Sequence, residues 1–135
     1  MTYGVTQQIR FCYGHRLQNY DGKCAHLHGH NAIAELTLEA QSLDSHGMVM
    51  DFAKIKKMLK AWIDETIDHR LLLEKSDPLV ALLKKEGEPV VVTIKPPTAE
   101  VIAQWIYERA RELKLPVTEV KLWETPEQFA TYRGV

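Results

Sequence analysis

The chain has 135 residues, a length that suits one domain covering residues 1–135. Hydrophobic residues make up 45% and charged residues 26%, which excludes a disordered or collagen-like chain. Lysine and arginine number 17 against 18 acidic residues, a balance that gives no basic footprint for nucleic acid or a membrane surface. No apolar run approaches the roughly 18 residues of a membrane helix, and the N-terminus lacks a signal-peptide pattern. We therefore expect a cytoplasmic protein with reduced thiols.

The first half of the chain predicts two strands followed by a helix. Residues Val5–Leu17 are rich in β-branched and aromatic side chains without helical spacing, which predicts a strand. Turn-forming residues follow over 18–23, and alternation over His30–Gln41 predicts a second strand antiparallel to the first. The apolar residues on one face of this strand are Ala32, Ala34, Leu36 and Leu38. Asp51 is a suitable N-cap for a helix whose apolar residues recur three and four positions apart from Phe52 to Ile67.

The second half adds three strands and one helix. Val90–Ile94 predicts a strand, and the turn at Thr98 opens a helix that extends to Leu113. Val117–Trp123 and Phe129–Tyr132 predict two further strands. The order ββαβαββ predicts an α+β fold, an antiparallel sheet with its helices on one face.

Histidines concentrate between Cys24 and His30. Residues two apart on a strand share a face about 6.6 Å apart, so His28 and His30 can bind one ion, whereas His26 and His30 would stand about 13 Å apart. His15, at the end of the first strand, is the candidate third ligand. Three histidines with an open fourth position are typical of catalytic zinc. The alternative is a closed structural site made from local ligands alone: Cys24, His26, His28 and His30.

Two further segments carry residues with two interpretations each. Asp68 and His69 follow the first helix, where they provide either helix-end electrostatics or a carboxylate that orients a general acid or base. Glu124, at the end of a strand, is either solvated or accepts hydrogen bonds from a ligand. The residues alone leave both choices open. Cys12 lies in an apolar stretch and is predicted to be a core thiol.

Several motifs, in order along most of the chain, together resemble the 6-pyruvoyltetrahydropterin synthase superfamily and, within it, the 6-carboxytetrahydropterin synthases of queuosine biosynthesis. The matching segments are Phe11 with His15-Arg16-Leu17, Cys24 to His30, Asp68-His69 with Leu71, Pro97 to Glu100 with Trp105, and Glu124-Thr125. One of these motifs alone is weak, whereas the ordered set is highly specific. Tyr13 departs from the family, which usually has a small residue at that position, and its ring is expected to narrow the pocket.

The resemblance implies a tetrahydropterin-synthase T-fold, with a four-stranded antiparallel sheet and two helices on one face. Subunits of this family assemble into homohexamers, two stacked trimers whose sheets close into barrels, with active sites between subunits. The resemblance further implies a Zn²⁺ ion bound by His15, His28 and His30. Cys24 would be the catalytic thiol, and Asp68 with His69 would complete the proton-transfer apparatus. The implied substrate-binding residues are Glu124, which anchors the pterin, Thr98 and Glu100.

The implied activity is that of a zinc-dependent lyase acting on 7,8-dihydroneopterin triphosphate. The three residues between Cys24 and His28 resemble the branch that forms 6-carboxytetrahydropterin and releases acetaldehyde and triphosphate. The alternatives are a 6-pyruvoyltetrahydropterin synthase, a non-enzymatic zinc-stabilised domain and a metal-dependent hydrolase. The cations that could hold the triphosphate are Arg16, Lys23, Arg70 and Arg133.

Overall fold

A computed structural model describes residues 1–134. The strands are β1 (Tyr3–His15), β2 (His28–Ala40), β3 (Arg70–Glu74), β4 (Val90–Thr93), β5 (Val117–Thr125) and β6 (Gln128–Arg133). The α-helices are α1 (Phe52–Thr66), α2 (Leu79–Lys85) and α3 (Ala99–Glu112), and a 3₁₀ turn covers Lys23–Ala25. In this part of the chain, no helix combines the length and apolar character that crossing a membrane requires.

The six strands form one mixed sheet in the order β4-β3-β1-β2-β5-β6. Antiparallel pairing joins β1 to β2, β2 to β5 and β5 to β6, which confirms the predicted antiparallel relation of the first two strands. By contrast, β3 runs parallel to both β1 and β4. The long β1–β2 pairing begins with Tyr3 opposite Ala40 and ends with His15 opposite His28.

The expectation of a four-stranded antiparallel sheet with two helices is therefore wrong in its details. All five strands predicted individually enter the sheet, and the elements that were not predicted are β3, which is five residues long, and α2, which is seven residues long. Both are short apolar runs, in which periodicity does not distinguish a strand from a helix. They also explain the parallel pairing, because α2 forms the crossover connection that parallel neighbours such as β3 and β4 need.

The core lies between one face of the sheet and the helices α1 and α3. Alternate residues of β1 and β2 are buried on this face, including the predicted series from Ala32 to Leu38. Helix α1 buries Ile55, Leu59 and Ile63, and α3 buries Ile102, Ala103, Ile106 and Ala110. The two helices meet where the rings of Trp62 and Trp105 pack edge to face at 5.3 Å. As predicted, Asp51 caps α1 by accepting a hydrogen bond from the Ala53 amide.

Candidate metal centre and active site

The core-facing stripe of β1 and β2 changes from apolar residues to histidine at one end of the sheet. On β1 the buried alternate residues are Ile9, Phe11, Tyr13 and His15. On β2 the same face carries His28 and His30 and then continues into the buried alanine and leucine series. The register places His15 opposite His28 and Tyr13 opposite His30. Side chains directly opposite each other on one face are neighbours, so strand pairing alone brings the three imidazoles together.

The three imidazoles form one compact cluster. The ring centroids of His15 and His28 are 4.5 Å apart, and the ring of His30 lies 5.1 Å from His15 and 5.2 Å from His28. One ligand atom from each ring lies within 4.8 Å of the others. Among the described residues, neither Cys24 nor His26 joins this group. The geometry thus favours the ligand trio from two strands over the local alternative.

Two of the imidazole rings are oriented by a hydrogen bond from Nδ1 to a backbone carbonyl oxygen. His15 Nδ1 lies 2.6 Å from the Pro97 carbonyl oxygen, and His28 Nδ1 lies 2.7 Å from the carbonyl oxygen of His26. A carbonyl only accepts, so each Nδ1 donates and each Nε2 is left as a potential ligand, the arrangement common in metal sites. Burial lowers the pKa of His15, with a smaller contribution from His28 and His30, against the raising effects of Pro97 and Glu124.

These imidazoles fit a metal ion because ligation requires the neutral ring. Three nitrogen donors without a fourth protein ligand are the donor set of catalytic zinc. The residues present therefore match the group that the resemblance implies.

Glu124 stands beside the histidines and not out in solvent. It follows Leu122 on the inward face of β5, and its Oε2 atom lies 3.4 Å from His30 Nε2 and 3.6 Å from His15 Nε2. The Tyr13 hydroxyl donates to the same oxygen at 2.6 Å. Burial raises the pKa of Tyr13, and the Glu124 carboxylate raises it further. This tyrosine contact was not anticipated, although Tyr13 lies two positions before His15 and so shares its face.

A cavity of about 250 Å³ opens beside Glu124. Its lining includes two residues predicted to bind substrate, Glu124 and Glu100, together with Gln128 and Phe129 from the β5–β6 hairpin. The third, Thr98, lies next to the cavity residue Ala99 in sequence, but its hydroxyl caps α3 by accepting from the Val101 amide at 3.2 Å. The start of α3 thus supplies Glu100 to the cavity and the Pro97 carbonyl to His15.

Cys24 is exposed in the 3₁₀ turn between β1 and β2. Its carbonyl oxygen accepts a hydrogen bond of 2.8 Å from the amide of Leu17, which joins the two ends of the loop. The base of the loop is fixed because Arg16 Nε donates to Asp77 Oδ2 at 2.7 Å and Asp77 is only 3% exposed. Arg16 is therefore a structural residue with its charge already paired.

Of the other three cations that could hold the triphosphate, one is paired with a carboxylate and two are not. Arg133 is paired with Glu119 at 2.6 Å. Lys23 and Arg70 have no acidic partner within residues 1–134. Arg70 lines a cavity of about 550 Å³, and His69 and Gly29 also line it. A Cβ atom at Gly29 would lie 3.1 Å from the Tyr13 carbonyl oxygen, so a larger residue would fit only if the β1 backbone shifted by a few tenths of an ångström.

Asp68 and His69 form the predicted pair in the turn before β3. Asp68 Oδ2 lies 2.8 Å from His69 Nδ1, while Oδ1 accepts from the Cys12 amide at 2.9 Å. Partial burial raises the pKa of Asp68, but the hydrogen bonds from Cys12 and His69 outweigh it and hold this pKa below its usual value. The backbone of His69 has a φ of 61°, and its amide donates to the Cys12 carbonyl at 2.8 Å. Tertiary contacts thus hold His69 in the sparsely populated left-handed region.

The pair lies on the opposite face of the sheet from the three histidines. Cys12 alternates with Phe11 and Tyr13 on β1, so its side chain points away from the core, and its sulfur lies within 4.8 Å of ligand atoms of Asp68 and His69. Cys12 is consequently half-buried beside this pair and is not the core thiol that was predicted. The ligand atoms of the two groups form separate clusters within one chain, although His69, His28 and His30 all border the cavity of about 550 Å³.

Comparisons with known proteins agree on one family. The 6-pyruvoyl tetrahydropterin synthase family matches residues 4–135. The 6-carboxy-5,6,7,8-tetrahydropterin synthase of Rickettsia bellii is 39% identical over 131 residues, which cover 92% of this chain and 95% of that protein. An uncharacterized protein of Wolinella succinogenes superposes with a TM-score of 0.84 at 29% identity, covering 100% of this chain and 99% of the other. The 6-pyruvoyl tetrahydropterin synthase of Caenorhabditis elegans gives a TM-score of 0.75 at 26% identity, with coverages of 100% and 97%. The chain belongs to the 6-pyruvoyl tetrahydropterin synthase family.

Proposed function

We propose that this protein is a zinc-dependent 6-carboxy-5,6,7,8-tetrahydropterin synthase, a lyase that acts in the cytoplasm in queuosine biosynthesis. The observation that carries the proposal is the cluster of His15, His28 and His30 beside the Glu124 cavity, in a chain of this family. The carboxy product is supported by the name of the Rickettsia bellii relative and by the spacing of Cys24 and His28.

The metal-binding atoms would be the Nε2 atoms of the three histidines. A bound zinc ion would supply Lewis-acid polarisation of the hydroxyl groups on the substrate side chain. His15 is fixed for this role by Pro97 and His28 by the backbone of His26. Such second hydrogen bonds set the ring orientation before any ion arrives.

Substrate recognition is assigned to the cavity beside Glu124. A carboxylate matches the adjacent N–H donors on the edge of a pterin ring, and such charge-assisted bonds are short and directional. Glu100 lines the same cavity, and Thr98 sets its position by capping α3. Fixing the ring in this way would place the reacting side chain toward the histidines.

Proton transfer is assigned to Cys24 on one side and to His69 on the other. Cys24 is an exposed thiol in a loop that Leu17 and Arg16 hold in place, so it is available as the base. Asp68 orients His69 through Nδ1, which leaves Nε2 free to exchange a proton with substrate. The hydrogen bond from the Cys12 amide keeps the Asp68 carboxylate in place for this task.

We further propose a homohexamer in which one subunit supplies the histidine trio and a neighbour supplies Asp68 and His69. The support is that the two groups lie on opposite faces of one sheet while the His69 side chain is 79% exposed. The sheet also has two open edges, β4 and β6, and closure against other subunits removes such edges.

The test is incubation of the zinc-loaded protein with 7,8-dihydroneopterin triphosphate, followed by mass spectrometry with trapping of aldehydes. We expect 6-carboxytetrahydropterin, triphosphate and trapped acetaldehyde. A product that retains all three side-chain carbons would instead identify a 6-pyruvoyltetrahydropterin synthase. Absence of any turnover, combined with unfolding on metal removal, would identify a zinc-stabilised domain. Turnover that persists in Cys24→Ala would favour a metal-dependent hydrolase.

A further inference from the structure

Tyr13 and Glu124 make one of the two polar contacts of 2.6 Å in the candidate active site, the other being that of His15 with Pro97. The Tyr13 hydroxyl donates to Glu124 Oε2 at 2.6 Å, and Tyr13 itself is 2% exposed. Its ring is fixed from two sides by the imidazoles, at 5.0 Å from His15 and 5.6 Å from His30. A buried donor that packing holds in place can fix the orientation of the carboxylate that it contacts, because a satisfied buried hydrogen bond makes both groups rigid.

The Glu124 carboxylate has two possible uses at this position. Its Oε2 atom lies 3.4 Å from His30 Nε2, at the nitrogens that would bind a metal ion, while its side chain also lines the pterin cavity. The Tyr13 hydroxyl occupies Oε2, and Oε1 accepts no hydrogen bond from any residue between 1 and 134. The oxygen without a partner is thus available to a ligand in the cavity.

We propose that Tyr13 is a positioning residue that holds Glu124 in the orientation that recognises the pterin ring. This inference rests on the proposed function, since it concerns the same site. Tyr13 acts through Glu124 and does not touch the substrate. Its hydroxyl satisfies the carboxylate oxygen beside the histidines and leaves the other oxygen for the N–H groups of the ring.

The experiment compares Tyr13→Phe with the wild-type protein. Phenylalanine keeps the ring that packs against His15 and His30 but removes the donor. We expect the dissociation constant for neopterin, followed by its own fluorescence, to rise about tenfold, the range for a lost hydrogen bond to a charged group. The KM for the triphosphate substrate should rise similarly with kcat little changed, as expected when ground-state binding is lost. Zinc content should stay at the wild-type value, whereas the melting temperature should fall by about 5 °C because a buried hydrogen bond is lost.

Two further variants separate a positioning role from a general structural one. Tyr107→Phe removes the hydroxyl of another partly buried tyrosine, which packs against Tyr132 at 5.0 Å, and should leave neopterin binding unchanged. In a Glu124→Ala background, Tyr13→Phe should add less than about a twofold effect, because contacting residues that act as a unit are not additive.

The outcomes are distinguishable. Wild-type affinity in Tyr13→Phe, or a full tenfold effect of this change in the Glu124→Ala background, would overturn the role of Tyr13 and leave the proposed function standing. A wild-type protein that neither binds neopterin nor converts the substrate would overturn the proposed function and this inference together.

Discussion

The histidine trio and the Asp68–His69 pair both depend on β1, but they are held by different parts of it. The trio consists of side chains that continue the buried stripe of the β1–β2 pairing, and His15 is only 4% exposed. Asp68 and His69 are bound by the backbone of Cys12, on the other face of the sheet, and the His69 side chain is 79% exposed. The first group is complete within one chain, whereas the second presents its imidazole outward.

The two groups are therefore positioned by different physical means. Ligands in a buried stripe are positioned by strand register, which rigid pairing maintains. A pair in a turn needs separate fixation, and here the left-handed φ of 61° at His69 and the bonds to Cys12 provide it. The two groups form separate clusters within one chain, and the proposed homohexamer would bring them to one substrate.

Variants of Cys24 and His69 should show the strongest loss of activity, and together they test whether one active site uses two subunits. Cys24→Ala and His69→Ala should each lower turnover by about 10²–10⁴-fold, the range for losing a general base or acid. Equal amounts of the two variants, unfolded and refolded together, should recover about a quarter of wild-type turnover if each site uses two chains at random. A mixture that remains as inactive as its components would place both residues at a site within one chain.

The metal site of one chain is tested by His28→Ala. Removing this ligand should lower zinc affinity by more than about 100-fold, since even the loss of a second hydrogen bond to a ligand costs 10–100-fold. Zinc per chain, measured after dialysis, reports the change. His26→Ala is the control, because His26 contributes only its carbonyl to His28. Equal zinc loss in both variants would instead favour the local structural site.

Beside the two groups, Arg16, after β1, forms an ion pair with Asp77, after β3. Asp77→Asn leaves a charge unpaired and should lower the free energy of unfolding by about 3 kcal/mol at neutral pH. The Arg16 guanidinium lowers the pKa of Asp77. The stability that ionised Asp77 contributes is therefore fully present above the pKa of about 3.9 that this group has in the unfolded chain. It is lost as the pH falls through the lower pKa of Asp77 in the folded protein.

Chemical denaturation at neutral pH and near pH 3 measures this dependence. The difference between wild type and Asp77→Asn should shrink at the acidic pH. The matched control is Asp64→Asn, which breaks the exposed pair with Lys60 and should change stability by less than about 0.5 kcal/mol. A difference that grows on acidification would contradict the assigned pair.

The smallest effect concerns the acceptor beside the histidines. Glu124→Gln keeps the size of the side chain and removes its charge, so neopterin binding should weaken by about 1.5–3 kcal/mol. Zinc content should not change, because the three histidines remain. Glu127→Gln, an exposed change in the β5–β6 turn, serves as the control for fluorescence titration. Unchanged neopterin affinity in Glu124→Gln would remove Glu124 from substrate recognition.

Much of the histidine site could be predicted because its information is local. Alternation along β2 predicted its buried face, and the two-residue spacing of His28 and His30 placed both on one side. His15 was placed at the end of a neighbouring strand, which the register confirms by pairing it with His28. The N-cap at Asp51 was equally readable, since its partner Ala53 is two residues away.

The β1–β2 pair, the two long helices and the shared face of His28 and His30 therefore follow from the amino-acid sequence, because periodicity and capping act over a few residues. The position of β3 beside β1, and with it the contact of Asp68 and His69 with Cys12 on the other face of the sheet, depends on tertiary packing. The same holds for the bond between Tyr13 and Glu124, which are 111 positions apart. Such contacts follow from the order of strands in the sheet, and that order depends on the packing of the whole chain.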